Sequence, residues 1–198
     1  MLVIIGPTCS GKDTIANKLT SNFDYVRILE YTTRQKRATE QTGKDYWFTS
    51  DESFKYMYER GELVGVREFN RYQNGENVTV YYGTSKSALK NSAQNILTTN
   101  IGAAKLLKAY AKEQHLPLFI VGIEVSPDEQ QLRLSARGDE PAEIAKRIAT
   151  DAVAYSELYE VADLVINNST SSTDDKCVID MLAAQIDTSY AEWMKNLQ

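Results

Sequence analysis

Seven residues near the start of the chain, Gly6-Pro7-Thr8-Cys9-Ser10-Gly11-Lys12, match the pattern G-x-x-x-x-G-K. Glycines in such a loop let backbone N–H groups wrap a polyphosphate. The following helix N-terminus adds partial positive charge, and the lysine reaches the β- and γ-phosphates. Gly6, Cys9, Ser10, Gly11, Lys12, Asp13 and Thr14 are therefore the expected lining for the phosphates of ATP. A hydroxyl usually follows the lysine and helps hold Mg²⁺. Asp13 stands there instead: its carboxylate either substitutes as a contact to Mg²⁺ or its waters, or stabilises the first turn of the helix.

Two further groups of side chains suit anions. Thr32-Thr33-Arg34-Gln35-Lys36-Arg37 runs on through Glu40, Gly43, Asp45-Tyr46 and Phe48, and Tyr81-Tyr82-Gly83-Thr84 follows later. A phosphate monoester carries about two negative charges near neutral pH. Arg34 and Arg37 offer forked donors to it, and Tyr46 and Tyr82 add phenolic hydroxyls. Arg133, Arg137 and Arg147 form the third cationic set.

In order and spacing these segments resemble guanylate kinase. That family carries a phosphate loop, then T-T-R-x-x-R-x-x-E-x-x-G-x-D-Y-x-F, then Y-G-S/T; the likeness runs to about Asn168 and is most specific over residues 32–48. The resemblance implies ATP as phosphoryl donor, Mg²⁺, and a nucleoside monophosphate acceptor bound by Thr33, Arg34, Arg37, Tyr46, Tyr82, Thr84 and Asn100. It implies that Arg133, Arg137 and Arg147 are lid and post-lid arginines that act with Lys12 on the transferring phosphoryl. It places Asn167 near adenine. Two relatives of this family widen the choice: sugar-phosphate kinases, and scaffold domains that bind partners without turnover.

The departures fall where guanine is read. The family phrase F-x-E aligns with Leu63-Val64-Gly65, and I-L-D-x-D aligns with Ile96-Leu97-Thr98-Thr99-Asn100, so three acids are replaced by Gly65, Thr98 and Asn100. Guanine's N1–H and N2–H₂ donors lose a carboxylate partner, at about 1–3 kcal/mol. Glu62 or Glu68 would substitute if the register shifts. An altered base preference, with a deoxy or modified nucleotide among the acceptors, is the expectation.

Strands and helices must position these groups. Leu2 to Ile5 is a compact, mostly β-branched run, read as a buried parallel strand, and Ile15, Ala16 and Leu19 give the next segment one helical face. Val26–Leu29, Ile96–Thr99, Leu118–Val125 and Leu164–Ile166 read as further strands; 85–91, 103–114, 128–136, 141–160 and 174–196 read as helices. Residues 31–46 read as an exposed functional segment. Ser50 or Asp51 caps a short helix, and Leu63–Phe69 with Val78–Tyr82 flank Asn74-Gly75 as a hairpin. The alternation predicts a three-layer α/β/α fold with a parallel central sheet. One domain is expected: a core of 1–30 and 85–198, an inserted β-containing lobe at 31–84, and a helical lid at about 133–147.

The bulk composition sets limits on partners. Over 198 residues the net charge is −5, which argues against a nucleic-acid-gripping surface. Two cysteines and a short apolar start without a basic lead fit a reduced, cytoplasmic protein with no membrane span.

Overall fold

The computed structural model describes residues 1–73, 76–90, 93–169 and 175–197. The expected Asn74-Gly75 turn, the Asn91 end of one helix, residues 170–173 of the polar loop and the Asp174 start of the last helix lie outside the described residues.

The chain runs β1 (Leu2–Ile5), α1 (Lys12–Asn22), β2 (Val26–Ile28), β3 (Tyr31–Thr32), β4 (Trp47–Phe48), α2 (Asp51–Glu59), β5 (Leu63–Gln73), β6 (Glu76–Ser85), α3 (Lys86–Leu89), β7 (Asn95–Thr98), α4 (Ile101–Glu113), β8 (Phe119–Glu124), α5 (Pro127–Ala136), α6 (Pro141–Ala154), α7 (Leu158–Val161), β9 (Leu164–Asn167) and α8 (Asp175–Lys195). Five strands form a wholly parallel sheet in the order β2-β7-β1-β8-β9.

Residues of a strand point alternately to opposite faces, and β1 is buried on both. Leu2 and Ile4 pack against Ile15, Ala16 and Leu19 of α1 and Ala183 and Ile186 of α8. Val3 and Ile5 pack against Ala104 and Leu107 of α4 and Leu158 and Val161 of α7. Two apolar layers on one sheet make the expected three-layer α/β/α fold. The chain leaves β1 for β2 on one side and reaches β8 on the other. The carboxyl ends beside β1 are therefore a topological switch point, where such sheets bind ligands.

A second, four-stranded sheet, ordered β4-β3-β6-β5, draws all its strands from residues 31–85. Ser50 caps α2, its hydroxyl accepting from Ser53 N at 3.2 Å, and Ser126 caps α5 by accepting from Glu129 N at 3.3 Å. Two local expectations are corrected. Residues 31–46 are not wholly exposed: Thr32 is buried and Arg34 is only 6% exposed, because β3 pairs with β6 and draws the segment inward. The helix expected over 141–160 divides into α6 and α7, and the Ser156 hydroxyl donates to the Val153 carbonyl at 2.9 Å. That bond satisfies a carbonyl left over at the end of α6.

Candidate functional site

The phosphate loop joins β1 to α1 as the sequence requires. Gly11 holds φ at +90°, and a Cβ there would stand 2.5 Å from the Asn168 amide nitrogen; only glycine fits. The Asn168 Nδ2 donates to the Ser10 carbonyl at 2.9 Å. No side chain caps α1 at Gly11, so its first amides remain as donors to an anion. The Lys12 ammonium lies across the loop, donating to the Gly6 and Pro7 carbonyls at 2.7 and 2.8 Å. Burial lowers the Lys12 pKa, while Asp13 and Asp151 oppose that shift.

Two cavities meet at Lys12 and Asp13. One, of about 470 Å³, is lined by Cys9, Ser10, Gly11, Thr14, Arg133, Arg137 and Asn168 as well as these two. All the expected loop residues except Gly6 lie there. The other, of about 630 Å³, adds Gly6, Tyr46, Arg67, Tyr82, Asn100 and Asp151. A third, of about 550 Å³, continues from Asp13 and brings together Arg34, Arg37, Tyr46 and Tyr82.

The arginines divide by environment. Arg133 Nη1 donates to the Cys9 carbonyl at 3.2 Å and Nη2 to the Asn168 carbonyl at 2.9 Å, so α5 is tied to the loop. Arg137 and Arg147 both pair with Asp139. Arg147 also pairs with Glu143 at 2.9 Å and lines neither cavity that Lys12 lines. Arg34 is engaged on all sides: Glu40 takes both its terminal nitrogens at 3.0 and 2.8 Å, and its Nε donates to the Tyr82 hydroxyl at 3.0 Å. Burial opposes the Glu40 charge, but hydrogen bonds from Arg34 and the Arg37 N–H outweigh it and hold its pKa below the usual value. The Arg37 side chain is 59% exposed and only 3.8 Å from Glu40. Burial raises the Tyr46 hydroxyl pKa, with Glu30 adding to the shift.

Among the remaining expected residues, Asn100 lines the second cavity. Asn167 is exposed, and its side chain accepts from Ser169 N at 2.8 Å; it is Asn168 that lines the first cavity. Thr33 serves sheet pairing, its hydroxyl accepting from Tyr81 N at 3.1 Å. Asn100 caps α4, accepting from Ala103 N at 2.9 Å. Glu62 pairs with Arg60 on the surface, and exposed Glu68 lines a separate groove with Phe54 and Tyr58. Neither takes the place of the carboxylate missing at Gly65. Among the described residues no cluster of three His, Cys, Asp or Glu side chains is placed to hold a metal, and no helix is long and apolar enough to cross a membrane.

Sequence reasoning missed Asp151, Arg27, Glu30 and Arg67, besides Asn168. Asp151 Oδ2 accepts from Thr8 N and from Gln130, each at 2.7 Å, so α6 steadies the loop. Arg27 bridges Asp13 and Thr98. Glu30, 3% exposed, pairs with Arg67. Only one signal was available for Glu30, an acid standing just before the Thr-Thr-Arg run.

The guanylate kinase family model matches residues 1–185. The chain belongs to the guanylate kinase family. A guanylate kinase of Clostridioides difficile is 32% identical over 169 residues, covering 82% of this chain and 76% of the relative. One of Desulfitobacterium hafniense is 31% identical over 191 residues, covering 92% and 89%. The crystal structure of guanylate kinase from Anaplasma phagocytophilum superposes with a TM-score of 0.65 at 22% identity, covering 97% of this chain and 84% of that one; that likeness shows the fold. In this family member the phosphate loop leaves the five-stranded sheet, the arginines and tyrosines stand by the four-stranded sheet, and the cavities they line share Asp13.

Proposed function

We propose that the protein transfers the terminal phosphoryl group of ATP to a nucleoside monophosphate, giving ADP and the nucleoside diphosphate. One observation carries this reading: Lys12 and Asp13 line both the loop cavity and the adjoining cavity of Tyr46, Arg67 and Tyr82, and Asp13, Tyr46 and Tyr82 continue into the cavity of Arg34 and Arg37, so a donor and an acceptor phosphate would meet beside Lys12 and Asp13. The family relatives, whose names state guanylate kinase activity, support it.

In this reading Gly6, Cys9, Ser10, Gly11, Lys12 and Thr14 hold the donor phosphates and Asn168 closes that cavity. Arg37, Tyr46 and Tyr82 hold the acceptor phosphate, with Arg34 fixing Tyr82. Arg133 and Arg137 stand on the donor side, and Lys12 spreads charge away from the transferring group. Positioning does most of the work, because a loose phosphoryl transfer needs no covalent enzyme intermediate. The lobe at 31–84 and the lid at about 133–147 close over the substrates and exclude water.

The residues fit Mg²⁺ in an exchanged arrangement. The usual site takes a hydroxyl after the loop lysine and an aspartate from elsewhere. Here the carboxylate is Asp13 on α1 and the hydroxyl is Thr98 on β7, and Thr98 Oγ1 donates to Asp13 Oδ1 at 3.1 Å. Both are hard oxygen donors of the type Mg²⁺ takes beside substrate phosphates. When bound, the ion neutralises charge on the β- and γ-phosphate oxygens. Arg27 holds the Asp13 carboxylate in place.

The base preference is proposed to differ from guanine, since Gly65 supplies no carboxylate. Gly65 has φ +62°, and a Cβ there would face Leu107 and Ala103 of α4 at 3.5–3.7 Å. The decisive measurement is ADP release from ATP and Mg²⁺ with a panel of ribo- and deoxynucleoside monophosphates. Acceleration by one of them is expected. ATP binding without acceleration by any would overturn the reading.

A further inference from the structure

Below the cleft lies a buried ion pair that phosphate binding does not use. Glu30 follows β2 and is 3% exposed. Its Oε2 accepts from Arg67 Nη2 at 2.8 Å. Its Oε1 accepts from Arg67 Nη1 at 2.9 Å, Thr99 Oγ1 at 3.0 Å and Thr84 Oγ1 at 3.4 Å. Arg67 Nη1 also donates to the Gly65 carbonyl at 2.9 Å. Oε1 already takes three donors, and Oε2 is bound to the guanidinium. Most of the carboxylate's accepting capacity is spent within the protein; Oε2 keeps one lone pair.

Glu30 and Arg67 both line the cavity, and the cation is the partner that can donate to a ligand. Arg67 lines the cavity of about 630 Å³ that holds Lys12 and Tyr82. Its guanidinium stands 5.5 Å from the centre of the Tyr82 ring, while the Tyr82 hydroxyl is held by Arg34. Tyr82 thus separates two guanidinium groups: Arg34 beside the phosphate clamp, Arg67 at the ring face. Beyond its own two hydrogen bonds, the Glu30–Arg67 pair is held in place by two threonine hydroxyls and a carbonyl. Of the five guanidinium N–H groups, Nη1 spends both on the protein and Nη2 donates one to Glu30. A guanidinium has no lone pair to offer, so it reads acceptors only.

Resting on the nucleotide-kinase reading, we propose that Arg67, fixed by Glu30, is the specificity-determining residue of the acceptor site. It selects a base edge rich in hydrogen-bond acceptors in place of guanine's N1–H and N2–H₂ donors. Carbonyl oxygens and ring nitrogens of a pyrimidine, or the O6/N7 edge of a purine, carry that chemistry; arginine pairs well with such edges.

The test compares acceptors within each protein, so overall loss of activity does not enter. kcat/KM is measured for AMP, GMP, IMP, CMP, UMP and dTMP with the wild type, Arg67→Met, and Glu30→Gln/Arg67→Met. The double variant removes both charges of the buried pair and so keeps the fold if the single variant does not. The expected result is one preferred carbonyl base in the wild type, with that preference falling at least tenfold in the variants, mainly through KM. Preference for CMP, UMP or dTMP would identify a pyrimidine edge, and equal use of GMP and IMP would identify O6/N7. A uniform loss across all six acceptors would overturn the proposal, as would an unchanged ranking. So would at least tenfold preference for GMP over IMP in every protein, which means donor reading. If the wild type turns over none of the six, the kinase reading fails instead, and equilibrium binding of the same six to the wild type and the double variant still decides the role of Arg67.

Discussion

On the proposed reading, the donor and acceptor halves of the cleft are built by different means. The donor half is mostly backbone: a glycine turn, the first amides of α1 and a lysine laid on its own loop. The acceptor half is side chains converging from separate elements: Arg34 and Arg37 after β3, Arg67 on β5, Tyr82 on β6 and Glu30 after β2. A polyphosphate is much the same in every nucleotide, so a local backbone cradle serves any donor. A base differs from its neighbours only in the pattern of donors and acceptors on its edge, so the acceptor half can be rebuilt residue by residue while the donor half stays. On the proposed reading, the Glu30–Arg67 pair beside Gly65 is such a rebuilding.

The comparison can be broken or sharpened by substitution. The largest effect is expected at the shared point of both halves: Lys12→Ala loses on the order of 10³-fold in kcat, measured by coupled ADP release. Wild-type-like turnover would remove the phosphate-loop assignment.

Within the acceptor half, the two arginines that look equivalent in sequence should separate. Arg34→Ala strands the Glu40 carboxylate (12% exposed) and is expected to lower folding stability by about 3–5 kcal/mol, read by denaturant unfolding. Arg37→Ala is expected to raise acceptor KM with stability unchanged to within about 1 kcal/mol. Because the Glu40 pKa is depressed in the folded state, the contribution of the Arg34 pair is present above the ordinary glutamate value of about 4.3. It is lost as pH falls through the lower, folded pKa. Equal stability of the two variants would show that burial does not distinguish them.

The exchanged metal contacts give the next effect. Asp13→Ser and Thr98→Asp each are expected to weaken Mg²⁺–nucleotide binding by about 10–100-fold, and the double exchange to recover most of it. Binding of Mn²⁺ with a non-hydrolysable ATP analogue, followed by electron paramagnetic resonance, reads this without turnover. Additive losses in the double variant would sink the exchange. The smallest effect belongs to Asn100→Ala, expected to lose about 1 kcal/mol of stability as a helix cap with the acceptor ranking intact. A changed ranking would make Asn100 a base-reading residue as well as a cap.

How much was legible in the sequence follows the same division. The strand–loop–helix opening was readable because its signals are contiguous: Leu2–Ile5, Gly6–Lys12, then Ile15, Ala16 and Leu19. The Thr32–Phe48 pattern was readable as a family resemblance, yet its environment was not. The segment carrying Arg34 looked exposed and Arg34 is buried, because β3 pairs with β6 about fifty positions later. Asn168, not Asn167, lines the donor cavity; β9 alternates its faces and the chain turns just after it, so neighbouring asparagines meet different surroundings.

By itself the sequence determined the α/β class, the place of the phosphate loop and the absence of an acid at Gly65, Thr98 and Asn100. Each of these is a local pattern or a residue identity. Only the tertiary structure decided which partner each charge meets: Asp13 with Arg27, Asp151 with a backbone N–H of the loop, Glu30 with Arg67. Those partners lie 14, 143 and 37 positions apart. Electrostatic pairing depends on distance and burial in space, which no spacing along the chain encodes.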